Sequence, residues 1–332
     1  MNRILLLYLV FFIATVNISL SQTVQVKGFA DVTTSYEKNK ASIGFDEEDL
    51  FINATINDRI SFLGETVFKY APATPTEFGV SVERIIIKYN LKGNHDLVIG
   101  KVHTPLNYWN DTYHHGRVFF PTIDRPLLFS ANIIPLHTLG LGAEGHDLGK
   151  IKFGYNFFVG NGLGSSEIAD NDKTKCITAA VHIKPADRLK IGLSYYHDEI
   201  SKDADIHDRK INWQVKQDLF SASVARFGKK FELLAEGTAG INHTDTTGTK
   251  ATLASYIYLG YKLKKLVPYL RYDNIHYEKG EIYYVINNVS SIVAGLRYEI
   301  NYLAVIKLEY QYQHNEFGNN INKVTAQFAI GF

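Results

Sequence analysis

Val324-Thr325-Ala326-Gln327-Phe328-Ala329-Ile330-Gly331-Phe332 closes the sequence. Val324, Ala326, Phe328, Ile330 and Phe332 share one parity. Thr325, Gln327, Ala329 and Gly331 share the other. Side chains on a strand alternate between its two faces, so this is a strand with one apolar face and one small or polar face. Two settings suit it. It is an edge strand of a soluble β-protein, or it is the closing strand of an outer-membrane barrel, with Phe332 in an aromatic girdle at the lipid–water boundary. The remainder of the chain has to decide.

Working back from the end, the pattern recurs. Over Leu303 to His314, Ala304, Ile306, Leu308, Tyr310 and Tyr312 oppose Lys307, Glu309 and Gln311. Over Ser290 to Ile300, Ile292, Ala294, Leu296 and Tyr298 oppose Arg297 and Glu299. Similar segments run over Lys250 to Leu263, Arg188 to Asp198, Thr174 to Lys184 and Lys150 to Gly160, and over Val80 to Asn90 and Phe45 to Asn57. Ile211 to Phe227 reads as a strand without clear parity. The sum is about sixteen strands of roughly ten residues, the length and even number of an outer-membrane barrel. Short turns at Asn57-Asp58, Lys92 to Asn94, Asp147 to Gly149, Pro185 to Asp187, Gly228 to Lys230, Lys264-Lys265 and Asn301 are separated by mostly longer connections. One of these longer connections lies between Thr23 to Tyr36 and Phe45 to Asn57. Short turns on one rim and long loops on the other are how such barrels are built.

The charges obey the same parity. Lys152, Lys184, Lys190, Arg271, Arg297, Glu299, Lys307 and Glu309 fall opposite the apolar set. A Lys or Arg facing lipid at the bilayer midplane costs about 2–4 kcal/mol, and an inward position in a wet lumen removes that cost. Arg271, Arg297, Glu299, Lys307 and Glu309 are therefore expected to line a pore. The fold expected is all-β: a transmembrane, antiparallel, up-and-down barrel.

Composition excludes other classes. The chain has 332 residues, a formal net charge of +1, 21 Tyr and 20 Phe. Near-neutral charge gives no support for nucleic-acid binding. A single Cys, Cys176, excludes an intramolecular disulfide and a Cys-x-x-Cys pair. Arg3 followed by the apolar run Ile4 to Val16 and by Ser19-Leu20-Ser21 reads as a signal peptide over residues 1–21, with the barrel over 22–332. No later run of about 18 apolar residues offers a spanning helix.

Residues 104–137 break the rhythm. They hold Pro105, Pro121, Pro126 and Pro135 and the aromatics Tyr108, Trp109, Tyr113, Phe119, Phe120 and Phe129. Loops of this length are commonly functional, and so many aromatic residues can offset the ordering cost by packing. The segment is expected to fold inward as a constriction loop, with Asp111, Arg117, Asp124 and Arg125 as its charges. The alternative is a cap over the mouth. His103, His114, His115, His137 and His146 lie in and around it without metal-ligand spacing, so they read as solvated loop histidines and no metal is expected. No Gly-x-Ser-x-Gly elbow occurs, and Gly160-Asn161-Gly162-Leu163-Gly164 leads into a polar loop rather than a helix, so no enzyme is expected.

Gly100-Lys101-Val102-His103-Thr104-Pro105-Leu106 (strand, Gly, basic residue, then Thr-Pro into a long aromatic loop) resembles the porin superfamily of Bacteroidetes-type outer membranes, related to the phosphate-selective porins O and P. The resemblance implies a sixteen-stranded, often trimeric channel for passive diffusion, with the loop in the lumen and no cofactor. Phosphate selectivity is not implied, because the loop carries no Lys/Arg ladder. The partners expected are outer-membrane lipid, small hydrophilic solutes and further copies in a homotrimer. By resemblance to outer-membrane proteins generally, Phe332 is also part of the signal read by the barrel assembly machinery. A plugged structural or adhesive barrel and a barrel enzyme are the alternatives.

Overall fold

The computed structural model describes residues 23–71, 77–113, 116–163, 170, 174–206, 209–284 and 287–332. The expected signal peptide, His114 and His115 lie outside these residues. Sixteen antiparallel strands form one closed barrel, each hydrogen-bonded to its neighbours in sequence and the last to the first. They are β1 (Thr23–Glu37), β2 (Lys40–Thr55), β3 (Ile60–Tyr70), β4 (Phe78–Lys92), β5 (His95–His103), β6 (His137–Leu148), β7 (Phe153–Gly160) and β8 (Cys176–Ala186). The second half is β9 (Leu189–Ile200), β10 (Val215–Phe227), β11 (Phe231–Thr244), β12 (Gly248–Tyr261), β13 (Leu266–Tyr277), β14 (Val289–Asn301), β15 (Ala304–Asn315) and β16 (Ile321–Gly331). A ribbon of Asp205–Ile206 and Arg209–Lys210 stands apart from the wall.

Closure follows from the terminal stretch. Phe29 to Glu37 pair with Gly331 to Lys323, and the pairing ends where Gly28 and Phe332 exchange backbone bonds of 2.9 Å in both directions. Val324, Phe328 and Phe332 are exposed on the outside, while Thr325, Gln327 and Ala329 are buried inside. The Phe332 ring lies over Gly28, where a Cβ would stand 2.3 Å from it. Only glycine leaves room for that ring.

The inside-out pattern holds around the wall. Ile257, Leu259, Leu270, Tyr272, Ile292, Leu296, Ile306 and Leu308 are exposed on the outer face. A strand of eleven residues, such as β16, tilted as barrel strands are, gives an apolar band on the order of 28 Å tall. The rim at Phe332, called lower here, carries only short turns. The opposite, upper rim carries the long connections, with two exceptions.

Those exceptions correct the sequence reading. β1 and β2 are joined by Lys38 and Asn39 alone, both at positive φ (50° and 61°). Two left-handed residues make the type I′ hairpin turn that suits strand twist, and Asn tolerates it. Without a glycine the turn left no clear mark in the sequence. β11 and β12 likewise run on to a tight connection after Thr244. Lys152 sits in the turn before β7 rather than on an inward position. The unclear parity over Ile211 to Phe227 also has a cause. β10 starts at Val215, and its inner face carries Val215, Leu219 and Ala225, buried against other apolar groups. The same inner face also carries Gln217, Ser221 and Ser223, and the outer face carries Lys216, Asp218 and Arg226 beside Phe220 and Val224, so polarity does not sort by parity and the alternation is lost.

Candidate pore constriction

After β5 the chain turns into the lumen, as expected. Asn107 holds a positive φ of 70° at the bend, and α1 (Tyr108–Thr112), a 3-10 turn (Arg117–Phe119) and α2 (Leu127–Ser130) follow. Leu106, Trp109, Phe120, Leu128, Phe129 and Ile133 are buried in a cluster with wall residues Tyr196, Leu219, Leu234, Tyr256 and Tyr258. Trp109 meets Phe120 and Tyr256 edge-on, at centroid distances of 5.4 and 6.0 Å. Edge-to-face contacts of this kind add to what area burial contributes. The loop therefore packs along the wall from β9 to β16 and, through its 3-10 turn, onto β1 and β2, leaving the β4 to β8 side of the lumen less filled.

Its backbone has no ladder of its own, so its polar groups need partners from the wall. The inward-facing charges supply them. On β11, Glu236 accepts from the amides of Tyr108 (2.5 Å) and Trp109 (3.0 Å), the open N-terminal amides of α1, and from the Tyr256 hydroxyl. On β13, Arg271 donates to Thr122 Oγ1 and to the Asp124 carbonyl, both at 2.6 Å. Asp273 accepts from the Leu127 amide at 3.1 Å and from Arg271 at 2.9 Å. On β14, Arg297 donates to the Pro121 carbonyl (3.2 Å) and pairs with Glu232 (2.8 Å) and Glu299 (3.0 Å). On β15, Lys307 donates to the carbonyls of Arg117 (2.6 Å) and Thr122 (3.1 Å), and Glu309 accepts from the Ile123 amide (2.6 Å).

Parity placed Arg271, Arg297, Glu299, Lys307 and Glu309 inside, and inside is where they are. Their surroundings differ from an open pore, however. Arg271 is 1% exposed and Lys307 0%, and Arg297 and Glu309 are buried too. The loop covers them, and they hold it. Glu299 stays partly exposed at the lower end of β14. Sequence alternation gives the face of a residue, not whether another segment lies on that face.

The loop charges divide. Arg117 stands 3.7 Å from Asp31, Asp46 and Glu47 and 3.8 Å from Asp124. Burial works against its charge, but those four carboxylates outweigh it and hold the guanidinium above its ordinary pKa. Burial also raises the Asp124 carboxyl, and Lys323 and Arg117 more than reverse that, leaving it below the ordinary value. Burial lowers Arg125, whose carbonyl accepts from Arg271 at 3.4 Å. Asp111 is on the other side of the loop and bonds Lys190 of β9 at 2.9 Å.

The space left open lies there, between the loop and β4 to β9. A cavity of about 120 Å³ is lined by Arg84, Lys88, His103, Asp111, Glu144 and Asn156 among others. A smaller one of about 40 Å³ adjoins it, bordered by Tyr108, Asp111, His182, Lys190 and Ser194. Arg84 pairs with Glu65, and Lys88 with Glu144 at 2.5 Å. The walls are thus charged in both signs. Of this group the sequence pointed to Lys190 as an inward charge and Asp111 as a loop charge. The β4 alternation was the available clue. His103 and His137 are not solvated as expected: their rings lie 5.4 Å apart, with Glu65 3.8 Å from His103 and Glu83 3.0 Å from His137. They sit where β5 and β6 turn inward, among lumen carboxylates.

A second cover lies over the packed side. Tyr283 and Tyr284, from the connection before β14, join Ile200, Ile206 and Ile211 in the same buried cluster. The Arg209 guanidinium donates to the Tyr283 carbonyl and stands 5.7 Å over its ring. The upper mouth is therefore covered over this half of the barrel.

No protein-family model and no curated protein sequence matches the chain. Solved structures do. An anion-selective porin from Comamonas acidovorans has a TM-score of 0.69 at 9% identity, over 94% of this chain and 100% of that one. OmpT, an outer membrane protein of Vibrio cholerae in its trimer form, gives 0.67 at 14%, over 94% and 99%. The outer membrane channel DcaP of Acinetobacter baumannii gives 0.65 at 13%, over 94% and 97%. At such identities the likeness establishes the fold: this chain is built as outer-membrane porins are.

Proposed function

We propose that the protein is an outer-membrane porin through which small hydrophilic solutes or ions diffuse passively. The observation that carries this reading is the asymmetric lumen. The loop is racked by inward charges of β11 to β16 and of β1 and β2, and charged, water-accessible space is left along β4 to β9. Charged walls on a narrow passage set which solutes pass. The exposed apolar band supports a place in the outer membrane, with lipid as its partner and insertion through the barrel assembly machinery, which reads Phe332. The trimer form of the Vibrio protein supports a homotrimer. The Bacteroidetes-type porin superfamily, near the phosphate-selective porins O and P, is the relationship we favour on the Gly100 to Leu106 stretch. Neither a cofactor nor a catalytic step enters this reading.

A second reading is a plugged structural barrel, favoured by the loop and the Tyr283–Tyr284 cover packed into one half of the lumen. Purified protein in planar bilayers decides between them. Stepwise conductance is the expected result. Silence from the intact barrel, and from one lacking residues 114–129, would overturn the pore.

A further inference from the structure

Positive charge gathers at the foot of the barrel. Between strands, the seven lower turns hold nine Lys or Arg and two Asp or Glu. The whole chain is near balance, at a formal net charge of +1, so the surplus is local. Six of the nine cations stand on three successive turns, β8–β9, β10–β11 and β12–β13. Half of those six are engaged within the chain. Arg188 stands 3.6 Å from Asp187, Lys262 stands 3.1 Å from Glu232, and the Lys265 ammonium donates to the Ile300 carbonyl at 2.7 Å. Lys229, Lys230 and Lys264 are exposed and have no partner among the described residues.

Arg226 joins these three lysines. It lies at the foot of β10, two positions above Gly228, exposed and unpaired among the described residues. It shares the outward parity of the exposed Phe220. An exposed aromatic pair stands beside it. Phe231 opens β11 and Tyr261 ends β12. They are cross-strand partners, and their rings meet edge-on at a centroid distance of 4.9 Å. Phe231 is 68% exposed. Above the pair on the outer face, Leu259 and Ile257 carry the apolar band upward. Four free cations and two rings therefore meet where the apolar band ends.

We propose that this foot of the wall binds the headgroup of an anionic phospholipid in the lower leaflet. The rings of Phe231 and Tyr261 sit at the boundary between acyl chains and headgroups, and the lysine ammoniums reach the phosphate from the turns below. Arg226 decides between a lipid and a soluble acidic partner. It faces outward on the wall about 5 Å above the turn, a depth that a protein beneath the rim does not reach. Its apolar stem lies along the wall and carries the guanidinium down to the headgroups. A phosphate there removes the cost of a lone cation facing lipid. Net charge decides the headgroup. A zwitterionic lipid compensates its phosphate with its own cation, whereas an anionic one leaves a charge for the protein to meet. This inference rests on the outer-membrane reading above.

The test is native mass spectrometry of the full chain in detergent, titrated with phosphatidylglycerol or with phosphatidylcholine of the same acyl chains. The wild type is expected to hold phosphatidylglycerol more tightly. Lys229→Gln, Lys230→Gln and Lys264→Gln together are expected to weaken that binding about a hundredfold and to leave phosphatidylcholine binding unchanged. Lys92→Gln, Lys150→Gln and Lys152→Gln, on the far side of the same rim, are expected to change neither. Equal affinity for the two lipids, a first triple variant that binds like wild type, or a second that loses as much would each overturn the site. So would displacement of the lipid by millimolar glycerol phosphate, since the turns would then be reading a free phosphate. Should the first variant fail to fold, high salt on the wild type replaces it: the preference for phosphatidylglycerol is expected to fall, and a preference indifferent to salt overturns the proposal. The two readings separate: a conducting barrel without lipid preference removes the site alone, and a silent barrel that keeps the preference removes the pore alone.

Discussion

Glu236→Ala tests whether the wall holds the loop. The carboxylate is 3% exposed and accepts three hydrogen bonds, from the Tyr108 and Trp109 amides and the Tyr256 hydroxyl. Its removal leaves two backbone amides of α1 buried with no acceptor in reach. Each such orphan costs about 1–3 kcal/mol, so the docked loop loses about 4 kcal/mol. That lowers the ratio of docked to undocked loop by about three orders of magnitude. The β11 ladder is untouched, since its bonds run between backbones and Glu236 contributes only its side chain. The barrel should therefore form, keep its heat-shifted mobility on electrophoresis and give a normal β spectrum. In planar bilayers it should show a larger or flickering conductance, and protease should cut within residues 104–137. Conductance, noise and protease resistance all equal to wild type would refute the claim that this rack fixes the constriction.

Three further outcomes follow from the same geometry. Lys190→Met removes a partly exposed partner of Asp111, so stability should change by less than about 1 kcal/mol, while the passage loses a positive charge and its reversal potential in a salt gradient should move toward cation preference; an unmoved potential would take Asp111 and Lys190 off the conduction path. Burial raises the Asp124 carboxyl, but Lys323 and Arg117 more than reverse that and hold it below its ordinary 3.8, so its ion pairs contribute fully above pH 3.8 and are lost only as pH falls through the depressed value; the difference in hydrogen-exchange protection factors of residues 116–125 between wild type and Asp124→Asn should stay constant from pH 7 to 4, and a difference that shrinks already at pH 5 would contradict it. Phe332→Ala should cut the yield of assembled barrel severalfold while leaving the conductance of each assembled pore unchanged, and an equal loss of both would argue against an assembly role.

The sequence disclosed much of the wall because lipid and lumen impose opposite demands on alternate residues. Strands such as β15 and β16, polar on one face and apolar on the other, are legible for that reason. β10 was not, because its inner face meets the loop cluster at Val215, Leu219 and Ala225 while its outer face carries Lys216, Asp218 and Arg226, so polarity does not follow parity. The loop was legible as a break in period and an accumulation of aromatics, but its side of the lumen was not, since that depends on which distant wall offers acceptors and donors to its backbone. Glu236 was missed for the same reason. Nothing local marks one inward Glu as the partner of amides 128 residues earlier. The same limit applies to Arg271 and Lys307, where parity gave the face correctly and said nothing of the segment lying on it.

The seam between β1 and β16 has a kinetic consequence. Phe29 pairs with Gly331, some three hundred residues later, whereas nearly every other strand finds its partner next to it in the chain. Local hairpins can form quickly and in any order, but this contact carries the full loop-closure entropy of the chain. Until it forms, the sheet has two raw edges, each able to capture a strand from another molecule. Closure should therefore be the late, rate-limiting event of folding, and the step most exposed to mispairing. Slowing it, by putting a methyl group at Gly28 under the Phe332 ring, should appear as accumulation of unclosed, aggregation-prone sheet rather than as a weaker finished barrel.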